Sequence, residues 1–151
     1  MMGTLHELAR RNVPIIVFNP LRERALERFA DPQSVIEMAT YSSTDIASTY
    51  FQVKAGGDAA ALKGIAKHLL EMENERGNVL DRAFIAEHTQ GVEAFAADIA
   101  QTDWEAIERE SGLSRAALKS VAEAYAKSNA TIITYGMGIT QHNKGTANVR
   151  L

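Results

Sequence analysis

Polar residues at the end of an apolar run are the first candidates for ligand binding. Asn19 and Pro20 stand at the carboxyl end of the run 13–19, and Arg22 follows two residues later. In open α/β sheets, ligands bind outside the carboxyl ends of the strands. An amide at this point could meet a ribose or a base edge, and Arg22 could touch a pyrophosphate. The alternatives are a plain Asn-Pro turn and a solvated arginine on a charged face.

A second candidate is the stretch KAGGD, residues 54–58. Gly56 and Gly57 free the backbone to approach a ligand, and the helix that follows offers unpaired N–H groups and the positive end of its dipole. Asp58 would repel a phosphate there. Its carboxylate could instead accept hydrogen bonds from two donors on a planar ring, such as N1–H and N2–H of guanine. The alternative is that Asp58 only caps the helix.

The third candidate is GMGITQH, residues 136–142, directly after another apolar run. It is not the dinucleotide fingerprint G-x-G-x-x-G, because position 141 is Gln, and a lone GxG is a weak signal. Gly136 and Gly138 still allow a close backbone approach, and Thr140, Gln141 and His142 could donate to a polar heterocycle. The alternative is a turn whose polar residues face solvent.

Several kinds of catalytic chemistry are excluded by residue type. The chain contains no Cys, so disulfides, thiolate nucleophiles, thiolate metal sites and Cys-held iron–sulfur clusters cannot form within it. His6, His68 and His88 fall on separate predicted helices, and no two His residues have the spacing of a zinc motif. No serine stands in a nucleophile elbow. We therefore expect no catalytic residue and no metal ligand in this chain.

Charge and hydropathy limit the possible partners. The net charge of −3 gives no electrostatic reason to expect binding to nucleic acid or to an anionic membrane. No run of about 18 apolar residues is present, so no transmembrane helix is expected. The start, MMGTLHELARRN, is amphipathic and lacks the long apolar core of a signal peptide. These features predict a cytoplasmic protein without a nucleic acid or membrane partner.

Apolar periodicity predicts a single α/β domain over residues 1–151. The continuous, β-branched runs 13–19 and 130–136 are typical of buried parallel strands, and the stretch 50–55 alternates as a strand does. Strands that alternate with helices indicate a parallel sheet covered by helices. The helices are predicted at 1–12, 59–77, 80–88, 91–101, 103–110 and 114–129.

Local signals predict where some of these helices begin. Ser114 is the expected cap of the helix that follows it, and Asp58 is well placed to cap the helix after the glycine pair. TDWE offers a capping box, with Thr102 as N-cap and Glu105 three residues later. Segment 32–49 is polar and β-branched without a clear period, so we expect a loop there and assign it no role.

Four stretches, in one order, carry a resemblance that covers nearly the whole chain. They are VPIIVFNP, VKAGGDAAALKGI, NVLDRAFIAEHTQGVEAF and SRAALKSVAEAYAKSNATIITYGMGITQHNKGTANVR. Together they resemble the molybdopterin oxidoreductases of the dimethyl sulfoxide reductase superfamily, and within it the formate dehydrogenase H-like alpha subunits. The most specific parts of the match are DRAFIAEHTQGVEAF and GMGITQHNKG.

The resemblance implies a Rossmann-like domain that holds the guanosine end of molybdopterin guanine dinucleotide. The family commonly has Asp where this chain has Asn19, so an amide replaces a charged contact to the guanosine. Gly56-Gly57-Asp58 matches the family's Gly-Thr-Asp with Gly for Thr, which makes Asp58 the candidate for reading guanine. The loop 136–142 would then approach the pterin end, near the metal.

The resemblance also implies a larger enzyme around this chain. Such enzymes have an N-terminal Cys-rich iron–sulfur region and a Cys, selenocysteine or Ser bound to molybdenum, and both would lie outside this chain. The predicted fold looks truncated at both ends, so we expect an excised domain whose partners are the remaining domains of the parent subunit. That parent would move two electrons between a small substrate such as formate and iron–sulfur centres. The chain alone is expected to be inactive.

Three other interpretations stay open from the residues alone. One is a stand-alone nucleotide-binding module without redox chemistry. Another is a nicotinamide dehydrogenase domain, although the missing G-x-G-x-x-G argues against it. The third is a structural interaction domain that binds no nucleotide. Replacing Asp58 by Ala should lower guanine-nucleotide affinity in both guanine-binding interpretations and should have no effect on a structural interaction domain.

Overall fold

The computed structural model describes residues 1–141 and 145–150. The chain divides into two compact units, Met1–Gln52 and Val53–Leu151. Each unit has its own set of secondary-structure elements. The division concerns packing within the chain, and the single-domain organisation predicted for residues 1–151 stays a prediction.

The first unit combines short helices with two small sheets. Its elements in chain order are α1 (Met2–Arg10), β1 (Ile16–Phe18), α2 (Arg24–Glu27), β2 (Arg28–Phe29), α3 (Val35–Thr40), β3 (Thr44–Asp45) and β4 (Thr49–Phe51). Strand β1 pairs parallel with β4, with Val17 opposite Tyr50. Strand β2 pairs antiparallel with β3.

The sequence located the parallel pair but overestimated its length. Strand β1 occupies three residues of the predicted run 13–19, and β4 ends at Phe51, whereas the predicted strand ran to residue 55. Pro14 cannot donate to a ladder, and the turn at Asn19-Pro20 closes the other end. Within the pair, the rings of Phe18 and Phe51 stack with centroids 5.2 Å apart.

The loop expected over 32–49 is wrong, because this segment contains a helix and a strand. Ser34 caps α3 by accepting a hydrogen bond from the backbone N–H of Glu37 over 3.3 Å. Strand β3 then pairs with β2. The helix has 6 residues and the strand 2, which is too short for a hydrophobic period to be visible in the sequence.

The second unit is organised around one long helix. Its elements in chain order are α4 (Asp58–Arg76), α5 (Arg82–His88), α6 (Val92–Gln101), α7 (Trp104–Ser111), α8 (Arg115–Lys127), α9 (Met137–Thr140) and α10 (Gly145–Arg150). Helix α4 packs against α6, α7 and α8. The long helices match the predicted ranges closely, since each carries a clear apolar period and defined ends.

A glycine inside α4 allows its closest packing contacts. A Cβ at Gly64 would lie 2.6 Å from Cδ1 of Leu118 and 2.9 Å from Cγ2 of Ile107. Both of those side chains are fully buried, as is Ile99 of α6. Gly in a helix interior usually costs stability relative to Ala, but here its small size lets α4 approach α7 and α8.

Two predicted caps have different outcomes. Ser114 accepts a hydrogen bond at the start of α8, which confirms that cap. The capping box is wrong: Asp103, not Thr102, caps α7, by accepting from the N–H of Ala106 over 3.1 Å. Thr102 instead ends α6, where its hydroxyl donates to the carbonyl of Asp98 over 2.8 Å. Asp is as good an N-cap as Thr or better, so the helix begins one residue later.

The strand predicted at 130–136 is wrong. Backbone groups of residues 131–135 make no hydrogen bond with any described residue, and Ile132 and Ile133 are 90% and 71% exposed. An apolar run becomes a buried strand only where neighbouring strands complete its hydrogen bonds, and none of the strands described above pairs with it. The described fold is mixed α/β, mostly helical, with a small parallel sheet.

Candidate cofactor-binding site

Asn19 lies in a hydrogen-bonded turn after β1. Its Nδ2 donates to Oε1 of Glu23 over 2.7 Å, and its Oδ1 accepts from the backbone N–H of Leu21 over 3.3 Å. The carbonyl of Pro20 accepts from Nε2 of Gln52 over 2.9 Å. The plain turn considered from the sequence is therefore present, and ligand contacts of Asn19 and Pro20 stay predictions.

Arg22 forms an ion pair at the same turn. Its Nε donates to Oε1 of Glu27 over 2.7 Å, and its guanidinium lies 5.7 Å from the ring centroid of Tyr50. The hydroxyl of Tyr50 donates to the carbonyl of Leu21 over 2.7 Å, which fixes the turn against β4. The Arg22 side chain is 64% exposed, so a phosphate could replace Glu27 as its partner. That contact also stays a prediction.

Gly57 is buried where the residues before α4 meet the end of α7. A Cβ there would lie 2.5 Å from the carbonyl oxygen of Glu110 and 3.0 Å from Cα of Ser111. Lys54 joins the same segments, because its backbone N–H donates to the Ser111 carbonyl over 2.8 Å. Its Nζ donates to the carbonyl of Arg109, also over 2.8 Å. Packing therefore explains why position 57 has no side chain, and its ligand contact stays a prediction.

Asp58 does not cap α4, contrary to the expectation from the sequence. The N-cap residue is Gly57, and no side chain of a described residue caps this end. Asp58 is the first helical residue and half-buried, and its carboxylate makes no hydrogen bond or ion pair with any described residue. The backbone N–H groups of Asp58, Ala59 and Ala60 likewise find no acceptor among the described residues. Within the described part of the chain, the start of α4 thus places donors without a partner beside an acceptor without one.

This combination favours one kind of ligand over another. Helix N-termini attract anions, but the Asp58 carboxylate opposes a phosphate at the same place. A neutral planar ring that carries an acceptor next to two donors would satisfy both the N–H groups and the carboxylate. The first turn of α4 is therefore suited to the edge of a heterocyclic base.

The residues predicted to contact a pterin lie at α9. Gly136 is its N-cap residue and Gly138 lies within it, and no atom of the described residues is within 4 Å of a Cβ built at either position. The hydroxyl of Thr140 donates to the carbonyl of Met137 over 3.2 Å, and Nε2 of Gln141 lies 3.5 Å from the Met137 sulfur. Their ligand contacts stay predictions, and His142 lies outside the described residues.

The predicted site residues fall into three local groups. Asn19, Pro20 and Arg22 share one turn of the first unit, Met1–Gln52. The second group, Gly57 and Asp58, begins α4, and the third group surrounds α9; both lie in the second unit. Each group comes from neighbouring positions in the sequence, which is why the sequence could identify it.

A cluster around the buried His68 in the second unit was missed from the sequence. Nδ1 of His68 lies 3.1 Å from Oε2 of Glu71, and Nε2 lies 3.1 Å from the carbonyl of Arg115. The imidazole packs against Trp104 in a tilted arrangement, with 4.4 Å between the ring centroids and 39° between the ring planes. An open cavity of about 460 Å³ lies between α4 and α8 beside this cluster. These residues are far apart in sequence, and only the packing of α4 on α7 and α8 brings them together.

The pKa of Glu71 reflects competing effects in this cluster. Burial alone would raise it, but the hydrogen bond from Trp104 and the charges of Arg115 and His68 together outweigh burial, so the pKa is lowered. Arg115 donates to both carboxylate oxygens over 3.2 Å. The cluster therefore holds a charged carboxylate between three helices and stabilises their packing.

A second carboxylate organises the turn between α4 and α5. Glu73 accepts from the backbone N–H groups of Val79 and Leu80, over 2.8 and 3.1 Å, and from Nε of Arg82 over 2.8 Å. The hydrogen bond from Leu80, then that from Val79, and the contact with Arg82 lower the pKa of Glu73. Glu73 thereby fixes the start of α5, the first helix of the stretch DRAFIAEHTQGVEAF.

The described residues offer neither a metal site nor a membrane-spanning helix. Within 1–141 and 145–150, no three His, Asp or Glu side chains come together as a metal site would require. No helix in the same ranges has both the length and the apolarity needed to cross a bilayer.

Sequence comparisons give relatives along nearly the whole chain, although no family model matches it. It is 45% identical over 155 residues to Protein YdeP of Escherichia coli strain K12, covering 99% of this chain and 20% of YdeP. It is 33% identical over 150 residues to a Mycobacterium tuberculosis H37Rv protein named as an uncharacterized oxidoreductase, covering 99% of this chain and 19% of that protein. Formate dehydrogenase H of E. coli K12 is 28% identical over 134 residues, covering 89% of this chain and 17% of that enzyme.

Two facts follow from these relatives. The chain spans about one fifth of the length of the curated relatives that it matches. Two of the three are named as redox enzymes, and the similarity to them includes most of the chain rather than a single motif. The relatives of this chain therefore include oxidoreductases, one of which is named for its action on formate.

Proposed function

We propose that this chain holds the guanosine part of molybdopterin guanine dinucleotide within a larger molybdopterin-dependent oxidoreductase of the formate dehydrogenase type. The observation that carries the proposal is the similarity to relatives named as oxidoreductases over 89% to 99% of the chain. The motifs VKAGGDAAALKGI and GMGITQHNKG support it, since they resemble the corresponding stretches of that superfamily.

The start of α4 supports guanine as the part of the cofactor that is bound here. Guanine has an acceptor, O6, beside the N1–H and N2–H donors. The carboxylate of Asp58 would accept from the two donors, and a backbone N–H of Ala59 or Ala60 would donate to O6. All of these protein groups lack a partner among the described residues. Adenine has an amino donor where guanine has O6 and no proton on N1, so it fits this pattern poorly.

The other predicted contacts have secondary roles in this proposal. Asn19 would contact the ribose through its amide, exchanging its hydrogen bond to Glu23, and Arg22 would approach the pyrophosphate in place of Glu27. Gly136, Gly138, Thr140 and Gln141 would face the pterin end. The bound group supplies two-electron redox chemistry at its metal, whereas the residues of this chain bind and orient it.

The parent enzyme is part of the same proposal. The chain would be one Rossmann-like cofactor-binding domain of a cytoplasmic subunit, with the remaining domains of that subunit as its partners. An iron–sulfur cluster and the protein ligand of the metal would lie outside this chain. The substrate would be a small molecule such as formate, which is the substrate named in one relative.

A stand-alone nucleotide-binding module is the second candidate. It is favoured by one observation, namely that the carboxylate and N–H groups at the start of α4 all belong to this chain. This candidate predicts that the isolated chain binds GDP with a micromolar dissociation constant. Under the first proposal, binding of free GDP by the isolated chain is much weaker, because most cofactor contacts come from other domains.

The proposal is tested on the polypeptide encoded by the complete reading frame. After purification, metal content is measured by mass spectrometry, and bound nucleotide is measured as GMP released by acid hydrolysis. The proposal predicts molybdenum or tungsten together with GMP. A polypeptide that contains neither metal nor guanine nucleotide would contradict it, and GDP binding by such a protein would favour the second candidate.

A further inference from the structure

We propose that the exposed face of α3 is an interface covered by another part of the same, longer polypeptide. This face, the α3 face, consists of Val35, Ile36, Met38 and Tyr41. The inference rests on the proposed function, which makes this chain one domain of a larger subunit. It assigns a role to segment 32–49, to which the sequence had assigned none.

The α3 face is an unusual concentration of exposed apolar side chains. Val35 is 82% exposed, Ile36 75% and Tyr41 95%. Single exposed apolar residues are common on proteins, but a contiguous patch of large ones marks an interaction surface. Val35, Ile36 and Met38 belong to α3 and Tyr41 is its C-cap residue, so four exposed apolar side chains fall within seven positions of one short element.

The opposite side of α3 is polar and turned toward its own unit. Oε1 of Glu37 lies 3.0 Å from Nε2 of His6, and its Oε2 accepts from the backbone N–H of Asp31 over 2.8 Å. The same His6 nitrogen lies 3.0 Å from the hydroxyl of Thr44. The side chains of His6 and Glu37 are only 7% and 11% exposed. This is the reverse of the usual amphipathic pattern, in which the apolar stripe faces the core.

Charge identifies the chemistry of the covering surface. Glu37 is the only charged residue between Val35 and Tyr41, and it is turned away from the α3 face. An uncharged apolar face gains little from a charged or strongly hydrated partner, whereas an apolar protein surface removes it from water. The partner is therefore an apolar, uncharged protein surface.

The size of the patch favours a surface of the same polypeptide over a second copy. A stable interface between separate molecules buries roughly 1,200–2,000 Å², which is more than one side of a 6-residue helix provides. A domain tethered to its partner does not lose translational freedom, so a smaller patch is sufficient. Four fifths of YdeP lies outside the part that matches this chain, so a polypeptide of that length has further domains that could supply this surface.

Hydroxyl-radical footprinting tests the inference without any substitution. Met38 and Tyr41 react readily with hydroxyl radicals when exposed, and their oxidation is compared between the isolated chain and the polypeptide of the complete reading frame. An added tyrosine-containing peptide normalises the radical dose. We expect both residues to be oxidised at least about fivefold less in the longer polypeptide than in the isolated chain, as for side chains in an interface core. This protection should be the same at every protein concentration.

Paired variants provide a second measurement. Ile36→Lys places a charge on the α3 face, and Gln33→Lys places the same charge at an exposed polar position three residues earlier. In the isolated chain, both variants should melt at the wild-type temperature. In the longer polypeptide, only Ile36→Lys should lower the melting temperature.

The outcomes show whether this inference, the proposed function, or both have failed. If the longer polypeptide contains metal and GMP but Met38 and Tyr41 are oxidised as in the isolated chain, the inference fails and the proposed function stands. Concentration-dependent protection of the isolated chain would mean that a second copy covers the face, which also overturns the inference. Protection without metal or GMP would support the interface and contradict the proposed function. A reading frame that encodes no longer polypeptide overturns both.

Discussion

The indole Nε1–H of Trp104 donates to Oε1 of Glu71 over 3.1 Å and so joins α7 to α4. Arg115, at the start of α8, donates to the same carboxylate and lies over the indole, with 4.5 Å between its Cζ and the ring centroid. One carboxylate therefore links three of the helices that form the core of the second unit, namely α4, α7 and α8. The candidate site lies at the start of α4, so this cluster also fixes the helix that carries the site.

Replacing Glu71 with Gln should lower the free energy of unfolding at pH 7 by about 1 kcal/mol, because charge-assisted hydrogen bonds at a partly exposed site are lost. The folded protein lowers the pKa of Glu71 from its ordinary value of 4.5. Its contribution is therefore complete above that value and disappears as the pH falls through the lowered pKa. Urea unfolding of both proteins from pH 7 down to about pH 3 measures the difference.

The matched control for this prediction is Glu75→Gln, one turn further along α4 at an exposed position. It should change the free energy of unfolding little at any pH. A Glu71→Gln deficit that stayed constant across the acid range would contradict the electrostatic explanation and would indicate a packing effect.

Gly64→Ala should destabilise the protein by about 1–3 kcal/mol, because the added Cβ overlaps the side chains of Leu118 and Ile107. Gly3→Ala is the control, since Gly3 lies in α1 with nothing within 4 Å of an added Cβ. That change should stabilise by about 0.5–1 kcal/mol through helix propensity. Thermal and urea unfolding should show changes of opposite sign in the free energy of unfolding of the two variants. Equal changes would contradict the packing role of Gly64.

The isolated chain should not oxidise formate. In the proposed function it only holds part of a cofactor, while the iron–sulfur cluster and the protein ligand of the metal belong to other domains. The measurement is reduction of an artificial electron acceptor by formate with the purified chain. Turnover that persists through repeated purification would contradict the division of roles proposed for the parent enzyme.

The sequence predicted the long helices well because their signals are local. The helices at 59–77 and 114–129 have a clear apolar period, and Ser114 caps the second as expected. The apolar run 130–136 is equally clear, yet it is exposed. Whether such a run becomes a strand depends on partner strands, which its own residues do not specify.

The candidate site was predicted only in part, for similar reasons. Asp58 could be selected from its place after Gly56-Gly57. Only the structure shows that its carboxylate does not cap α4. The cluster of Glu71 with Trp104 could not be anticipated, because it depends on how α4 packs on α7 rather than on spacing. Short elements such as α3 show no hydrophobic period in the sequence. The apolar outward face of α3 is visible only from the exposure of its side chains in the structure.

The most direct test of the central claim is the guanine content of the Asp58→Ala variant of the polypeptide from the complete reading frame. Loss of two hydrogen bonds to a charged acceptor, each worth about 1.5–3 kcal/mol, should weaken guanine binding about a hundredfold or more. Glu75→Ala removes a carboxylate elsewhere on α4 and should retain the wild-type amount. We predict that GMP released per polypeptide falls sharply in Asp58→Ala alone. Full GMP content in a folded Asp58→Ala protein would contradict the claim that this domain holds the guanosine through Asp58.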